Sequence, residues 1–386
     1  MIFKLIMVNP LKTKKNSKLV AMSLFVTLIS VSASSWAIQY QITDIGPLPG
    51  ITTTVPSQIT GINNSGDVIG RAPVGGSPSA QVNGFIWNKN KGFSDLGWLT
   101  PWAINDQGDI TGGNPYGQAF IISKNSLQQP PSTASSLGGA WGINASGHLA
   151  GVLQQYAAFP PQAIVWKSAD EVTNLSQLYG ERGYAFDINN SGSVVGSLGN
   201  HGYIWNEVTG LTYIDIQKAD STAWSINENG QVVGWLSDKS SNRRGYSSFI
   251  WDGGQLTIID NLNSEQSMAF GINALGQVVG THRNSLNYNS MGDAYVWDQD
   301  HGMLDLDSLV VGSDQWQLNE ANGINDLGQI VGTGLLNGQR HGYLLTPISE
   351  PPIFALTMIA LLALLFSHFF EKNVHSRLRL SSKNSP

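Results

Sequence analysis

The chain has 386 residues, 21 basic and 27 acidic, a formal net charge of −6, 43 glycines and no cysteine. That length suggests two or three ordinary domains unless an internal repeat uses it in one closed unit. Without cysteine, disulfide staples, thiolate nucleophiles and thiolate metal sites are excluded, so stability must come from packing and closure.

The first predicted element is a secretory signal over 1–37. Lys12, Lys14, Lys15 and Lys18 precede an apolar run at 19–31 and the small-residue end Ser35-Trp36-Ala37, which predicts export through the Sec route and cleavage after Ala37. The run is short for a bilayer span, which argues against an uncleaved anchor. Five basic residues precede residue 38 and four follow residue 371, so residues 38–370 carry 12 basic against 26 acidic side chains, a net of −14. A body of that charge repels nucleic acid and anionic lipid.

Next comes Tyr40-Gln41-Ile42-Thr43-Asp44-Ile45, a strand pattern with no hairpin before it. From residue 62 one phrase then occurs seven times, first as Ile62-Asn63-Asn64-Ser65-Gly66-Asp67-Val68-Ile69-Gly70, then from Ile104, Ile143, Ile188, Ile226, Ile272 and Ile324. Its asparagines (Asn63, Asn105, Asn144, Asn189, Asn227, Asn273 and Asn325) lie 38 to 52 residues apart, the length of a four-stranded propeller blade. Each is followed three residues later by a glycine, which predicts a tight hairpin: asparagine caps the turn and glycine takes the left-handed conformation.

A third aromatic and β-branched run follows each hairpin, as in Phe85-Ile86-Trp87 or Tyr203-Ile204-Trp205, and a fourth follows a short turn, as in Phe93–Leu96 or Tyr213–Ile216, with a weaker version around Leu137. The seventh repeat lacks that fourth run, and Tyr40–Ile45 has its character. The expected fold is an all-β, seven-bladed propeller over 38–346, closed by the N-terminal strand so that no sheet edge stays open. A two-sheet sandwich would not need one phrase seven times, and an open solenoid would need caps rather than a permuted strand.

A linker at 347–352 leads to an apolar segment at 353–370, about the minimum length for a membrane helix. A basic tail at 371–386 predicts that this end stays cytoplasmic while the body lies outside.

The alternation of Ile-Asn-x-x-Gly-x-Val-x-Gly with His201-Gly202-Tyr203-Ile204-Trp205 and His341-Gly342-Tyr343-Leu344-Leu345 resembles the extracellular HAF-repeat proteins of bacteria, over residues 40–346. The resemblance implies an exported protein and carries no general activity. The C-terminal end is similar to the PEP-CTERM sorting signal read by an exosortase, with Ser349-Glu350-Pro351 in place of Pro-Glu-Pro and basic residues scattered through 372–383. That likeness implies removal of the tail and transfer to the cell surface or matrix; without processing, the segment is a membrane anchor.

No Gly-x-Ser-x-Gly elbow, His-Glu-x-x-His or phosphate loop occurs. The asparagine turns supply too few carboxylates for calcium, and the histidines lack zinc spacing, so neither a metal nor a cofactor is expected. Trp87, Trp166, Trp205, Trp251 and Trp297 recur with the blade and are expected in the core, and Trp102, Trp141 and Trp224 are periodic too. Trp98, Trp235 and Trp316 break the pattern and are the candidate ligand contacts, on the face of the variable connections 71–83, 152–162, 235–247, 281–293 and 307–319 and at the channel mouth. The sequence thus favours a monomeric surface or matrix protein that binds a glycan or a surface protein. The other reading is an exported carbohydrate-active hydrolase or lyase, since paired carboxylates can be brought together by different blades.

Overall fold

A computed structural model describes residues 38–46, 58–74, 81–124, 126–128, 137–154, 160–168, 171–214, 219–238, 245–259, 266–283, 292–312 and 314–348. The signal with Ala37, the sorting residues Glu350 and Pro351, the apolar segment 353–370 and the basic tail lie outside them. Among the described residues, no helix is long and apolar enough to cross a membrane.

The first described element is β1 (Tyr40–Gly46), and the strands form seven four-stranded antiparallel sheets. Blade 1 is β2 (Gln58–Ile62), β3 (Val68–Val74), β4 (Gln81–Asn88) and β5 (Gly92–Gly97). Blade 2 is β6 (Thr100–Ile104), β7 (Ile110–Gly113), β8 (Ala119–Ser123) and β9 (Ser126–Gln128). Blade 3 is β10 (Leu137–Ile143), β11 (Leu149–Gln154), β12 (Gln162–Trp166) and β13 (Val172–Asn174), followed by the short helix α1 (Leu175–Tyr179). Blade 4 is β14 (Gly183–Ile188), β15 (Val194–Leu198), β16 (His201–Asn206) and β17 (Gly210–Ile214). Blade 5 is β18 (Ala219–Ile226), β19 (Val232–Asp238), β20 (Tyr246–Asp252) and β21 (Gln255–Ile259). Blade 6 is β22 (Gln266–Ile272), β23 (Val278–Arg283), β24 (Asp293–Asp298) and β25 (Gly302–Asp305), followed by a 3-10 turn at Leu306–Leu309.

Blade 7 has only β26 (Trp316–Ile324), β27 (Ile330–Leu336) and β28 (Gln339–Pro347) of its own, and β1 completes it, running antiparallel to β28 with Tyr40 opposite Pro347 and Asp44 opposite Tyr343. His341 Nδ1 lies 2.9 Å from Asp44 Oδ1 across this junction. One apolar cluster joins Ile45, Val331 and Leu344 of blade 7 to Ile59, Val68, Phe85 and Trp87 of blade 1, so the ring closes by packing as well as by pairing. The outer run expected near Leu137 is a correction: Leu137 starts the inner strand β10, and blade 2 ends in the three-residue β9, exposed throughout.

Like clusters fill the spaces between other neighbouring blades, for example Val195 and Ile214 of blade 4 against Ala223, Val232 and Phe249 of blade 5. Trp87, Trp166 and Trp205 are buried, and Trp251 and Trp297 pack on the same layers. The second glycine of the phrase is fixed by this packing. A Cβ on Gly70 would lie 2.5 Å from the Gln58 carbonyl oxygen and 2.6 Å from Cζ of Phe85, whose ring crosses it.

Candidate ligand site in the axial channel

The first strand of every blade lines the axis, and every one breaks register at the same point. The breaks fall between Ile59 and Gly61, Pro101 and Ala103, Ala140 and Gly142, Ala185 and Asp187, Ala223 and Ser225, Ala269 and Gly271, and Ala321 and Gly323. A bulge adds one residue to a strand and re-aims its side chain. The bulged residues are Thr60, Trp102, Trp141, Phe186, Trp224, Phe270 and Asn322, and all of them line one axial cavity of about 720 Å³. Five of those seven positions, in blades 2 to 6, carry aromatic rings.

The rings form a continuous half-buried arc. Trp102 meets Trp141 edge-on at 5.5 Å, Trp141 stacks on Phe186 at 4.9 Å, and Phe186 lies 4.7 Å from Trp224. Tyr184 stacks beside Trp141 at 5.6 Å, and Trp224 continues to Phe270 at 6.4 Å. Phe186 therefore has a ring against each face and offers its edge to the cavity.

The remaining wall is polar and comes from blades 6, 7 and 1. Arg71 Nε and Nη2 both donate to Gln58 Oε1, at 3.0 and 2.7 Å, which fixes the plane of the guanidinium. Arg283 and Glu320 also line this side, and Glu320 is 3.6 Å from Arg340.

Deeper in, the residue after each bulge is small (Gly61, Ala103, Gly142, Ser225, Gly271 or Gly323) except in blade 4, where it is Asp187. Asp187 Oδ2 accepts from Ser225 Oγ at 2.9 Å and from Ile226 N at 3.0 Å, and Oδ1 accepts from Ile188 N at 2.8 Å. Burial outweighs these bonds and pushes its carboxyl up to about 6. Beyond it the isoleucines of the phrase form a waist, and Ile62, Ile104, Ile272 and Ile324 border both this cavity and a second, smaller one of about 210 Å³ at the opposite mouth.

That mouth is ringed by the asparagine turns. Each asparagine Oδ1 accepts from the amide four residues on, and all but Asn189 also from the amide two residues on, as Asn144 does from Ser146 N and His148 N at 3.0 Å; Asn189 takes the Ser191 hydroxyl at 2.8 Å instead. Each Nδ2 also donates to the carbonyl of the next blade's asparagine, from Asn63 to Asn105 and onward until Asn325 returns to Asn63, at 2.9 to 3.1 Å. The belt has no break. The following positions place Asp106, Glu228 and Asp326 around the same opening; burial, then Asp326 and Asp106, holds the Glu228 carboxyl above its usual range. Among the described residues, no group of three His, Asp or Glu side chains is arranged to hold a metal ion.

None of the three tryptophans singled out from sequence lines the cavity. Trp235 comes nearest, backing the arc at 5.2 Å from Trp224 and 6.2 Å from Phe270. Trp98 is about half exposed and tilts onto Tyr116 at 6.1 Å, while Trp316 packs edge-on against Tyr343 at 6.2 Å and His341 at 6.1 Å. The cavity-lining aromatics that the sequence reading passed over are Phe186 and Phe270, and Trp102, Trp141 and Trp224 were noted there only as periodic. Their signal was available: counted back two places from the phrase's isoleucine, five of seven repeats carry an aromatic. Of the variable connections, 307–319 is described apart from residue 313, and the other four lie partly outside the described residues.

The fold and this cavity define a closed seven-bladed propeller with an aromatic-walled axial cup. A family model for a "Protein of unknown function (DUF3466)" matches residues 162–344, and no curated protein matches. Among solved structures, an acylaminoacyl peptidase from Pyrococcus horikoshii is similar, with a TM-score of 0.52 and 12% identity over 78% of this chain. This chain spans 54% of that peptidase. The β-propeller domain of the Trilobed protease from Pyrococcus furiosus has a TM-score of 0.49 and 13% identity, covering 82% of this chain and 97% of that domain. A catalytically inactive virginiamycin B lyase from Staphylococcus aureus, with quinupristin, has a TM-score of 0.49 and 9% identity over 80% of this chain and 100% of its own. At these identities the likeness is one of fold.

Proposed function

We propose that this is an exported cell-surface or matrix protein that binds a glycan in the axial cup. The observation that carries the reading is the layer of five bulged aromatics from blades 2 to 6, facing a polar wall from blades 6, 7 and 1 around a single cavity. Aromatic walls with a few placed polar groups are what ligand sites are made of, and a cavity of this size admits one or two sugar rings. The likeness of the repeats to HAF proteins and of the C-terminal end to a sorting signal supports the location. The test is titration of the protein recovered from the cell envelope with a panel of oligosaccharides, read by tryptophan fluorescence. Saturable quenching that Trp141→Ala removes is expected; no quenching by any glycan, or quenching indifferent to Trp141→Ala, overturns the proposal. Intact mass of the same material addresses sorting: a chain ending near residue 350 agrees with exosortase processing, and one running to Pro386 with a membrane anchor.

The reading as a hydrolase or lyase has one observation in its favour, the Asp187 carboxyl beside Ser225 at the base of the cup, held at about 6. An acid in that range can donate a proton near neutral pH. Product released from a bound oligosaccharide and lost in Asp187→Asn would establish it; binding without turnover would dispose of it.

A further inference from the structure

Resting on that reading of the cup, we infer that its ligand is an acidic glycan, whose carboxylate or sulfate groups are taken by Arg71 and Arg283 while the sugar rings pack against the aromatic arc. The first argument is charge placement. Residues 38–370 hold only 12 basic side chains against 26 acidic, yet two of the 12 line this cavity, one on each side of blade 7. The two acids that line the cavity, Asp187 at its base and Glu320 in blade 7, have partners of their own. Asp187 accepts from Ser225 Oγ and two backbone amides, and Glu320 faces Arg340 at 3.6 Å.

Preorganisation is the second argument. A guanidinium has five N–H donors in a rigid fork suited to paired oxygens. Gln58 Oε1 takes the Nε–H and one Nη2–H of Arg71, which holds the fork in one plane at the cavity wall and leaves its other donors for a ligand. The third argument concerns the aromatics. Phe186 is sandwiched by Trp141 at 4.9 Å and Trp224 at 4.7 Å, so it meets a ligand with its edge. Ring edges carry the positive end of the quadrupole and favour oxygen-rich, negative partners over cations. A cation-binding cage would turn ring faces inward.

Calorimetric titration of the envelope-derived protein with three oligosaccharides of equal length distinguishes the outcomes: an oligogalacturonate, a sulfated galacto-oligosaccharide and the neutral galacto-oligosaccharide. At least one acidic ligand is expected to bind about tenfold tighter than the neutral one, the worth of one charge-assisted hydrogen bond, and which one does so identifies the anion. Arg71→Ala and Arg283→Ala should each weaken the acidic ligand far more than the neutral one, and so remove most of that preference. Arg71→Lys and Arg283→Lys should restore part of it, which separates a charge effect from a folding defect. Trp224→Ala should weaken all three ligands alike. Equal affinity for acidic and neutral ligands, still sensitive to Trp224→Ala, overturns the acidic preference and leaves glycan binding standing. Acid preference indifferent to both arginines also overturns it. Loss of binding to every ligand overturns both.

Discussion

Replacing Asn144 tests whether the asparagine belt holds the ring. Its side chain, 3% exposed, makes three hydrogen bonds: Oδ1 accepts from Ser146 N and His148 N, and Nδ2 donates across the blade boundary to the Asn189 carbonyl at 3.1 Å. The Asn189 carbonyl also accepts from Gly192 N, so it keeps one partner when Asn144 is lost. At about 1 kcal/mol net for each bond, Asn144→Ala should lose about 3 kcal/mol. Asn144→Asp is the sharper test. It keeps both acceptor bonds of the turn and sets a carboxylate oxygen against the Asn189 carbonyl. Burial and that contact favour the protonated acid, raising its folded pKa above the unfolded value, so the penalty eases as pH falls and grows as pH rises through the folded pKa. Urea unfolding at pH 5 and 7.5 should show an Asn144→Ala loss that is nearly equal at both pH values and an Asn144→Asp loss larger at pH 7.5. An Ala loss below about 1 kcal/mol, or an Asp variant as stable as the parent at pH 7.5, would mean that the belt accompanies closure without supporting it.

Two further outcomes follow from named groups. Asp187 is held at about 6 against an ordinary 3.8, so it contributes stability that is fully present below about 4 and lost as pH rises through about 6, at most about 3 kcal/mol. Asp307, also raised to about 6 by burial and by Asp305 and Asp293, titrates in the same window; Asp187→Asn should therefore flatten the dependence of the urea midpoint between pH 4.5 and 7.5 without abolishing it, and an unaltered slope would refute the assignment. Deleting Tyr40–Gly46 should uncover the β28 edge together with the cavities left by Tyr40 and Ile45, which are 1% and 3% exposed, and produce concentration-dependent oligomers by light scattering. A truncated protein that stays monomeric with unaltered stability would show that blade 7 does not need its fourth strand.

The ring was legible because its causes repeat. Asparagine followed by glycine three residues later marks seven turns, and Gly66, Gly108 and their five counterparts have positive φ. The missing outer strand of blade 7 and the spare strand at Tyr40 announced closure. What stayed hidden was what strand alternation misrepresents. A two-residue period puts Phe186 and Ile188 on one face and Asp187 on the other, and only the bulge between Ala185 and Asp187 brings Phe186 and Asp187 to the same cavity. The asparagine was legible as a turn former, but its Nδ2 bond spans 38 to 52 residues along the chain in six blades and 262 at the closing one, which no local pattern reports. The outer strand β9 was misplaced because Ser126–Gln128 is only three residues long, exposed throughout, with Leu127 as its one apolar residue.

The positions that repeat and the positions that vary do different work on the same strand. From the isoleucine onward, each repeat supplies the waist, the belt and the turn. Two places earlier, blades 2 to 6 offer Trp102, Trp141, Phe186, Trp224 and Phe270, while blades 1 and 7 offer Thr60 and Asn322. Ring closure needs no such difference, since the belt runs through all seven junctions and apolar clusters fill six of them. A ring made from seven near-copies has no preferred side. The aromatic arc and the guanidinium wall give this one two sides, the asymmetry on which the proposed ligand, with an apolar flank and a charged one, depends.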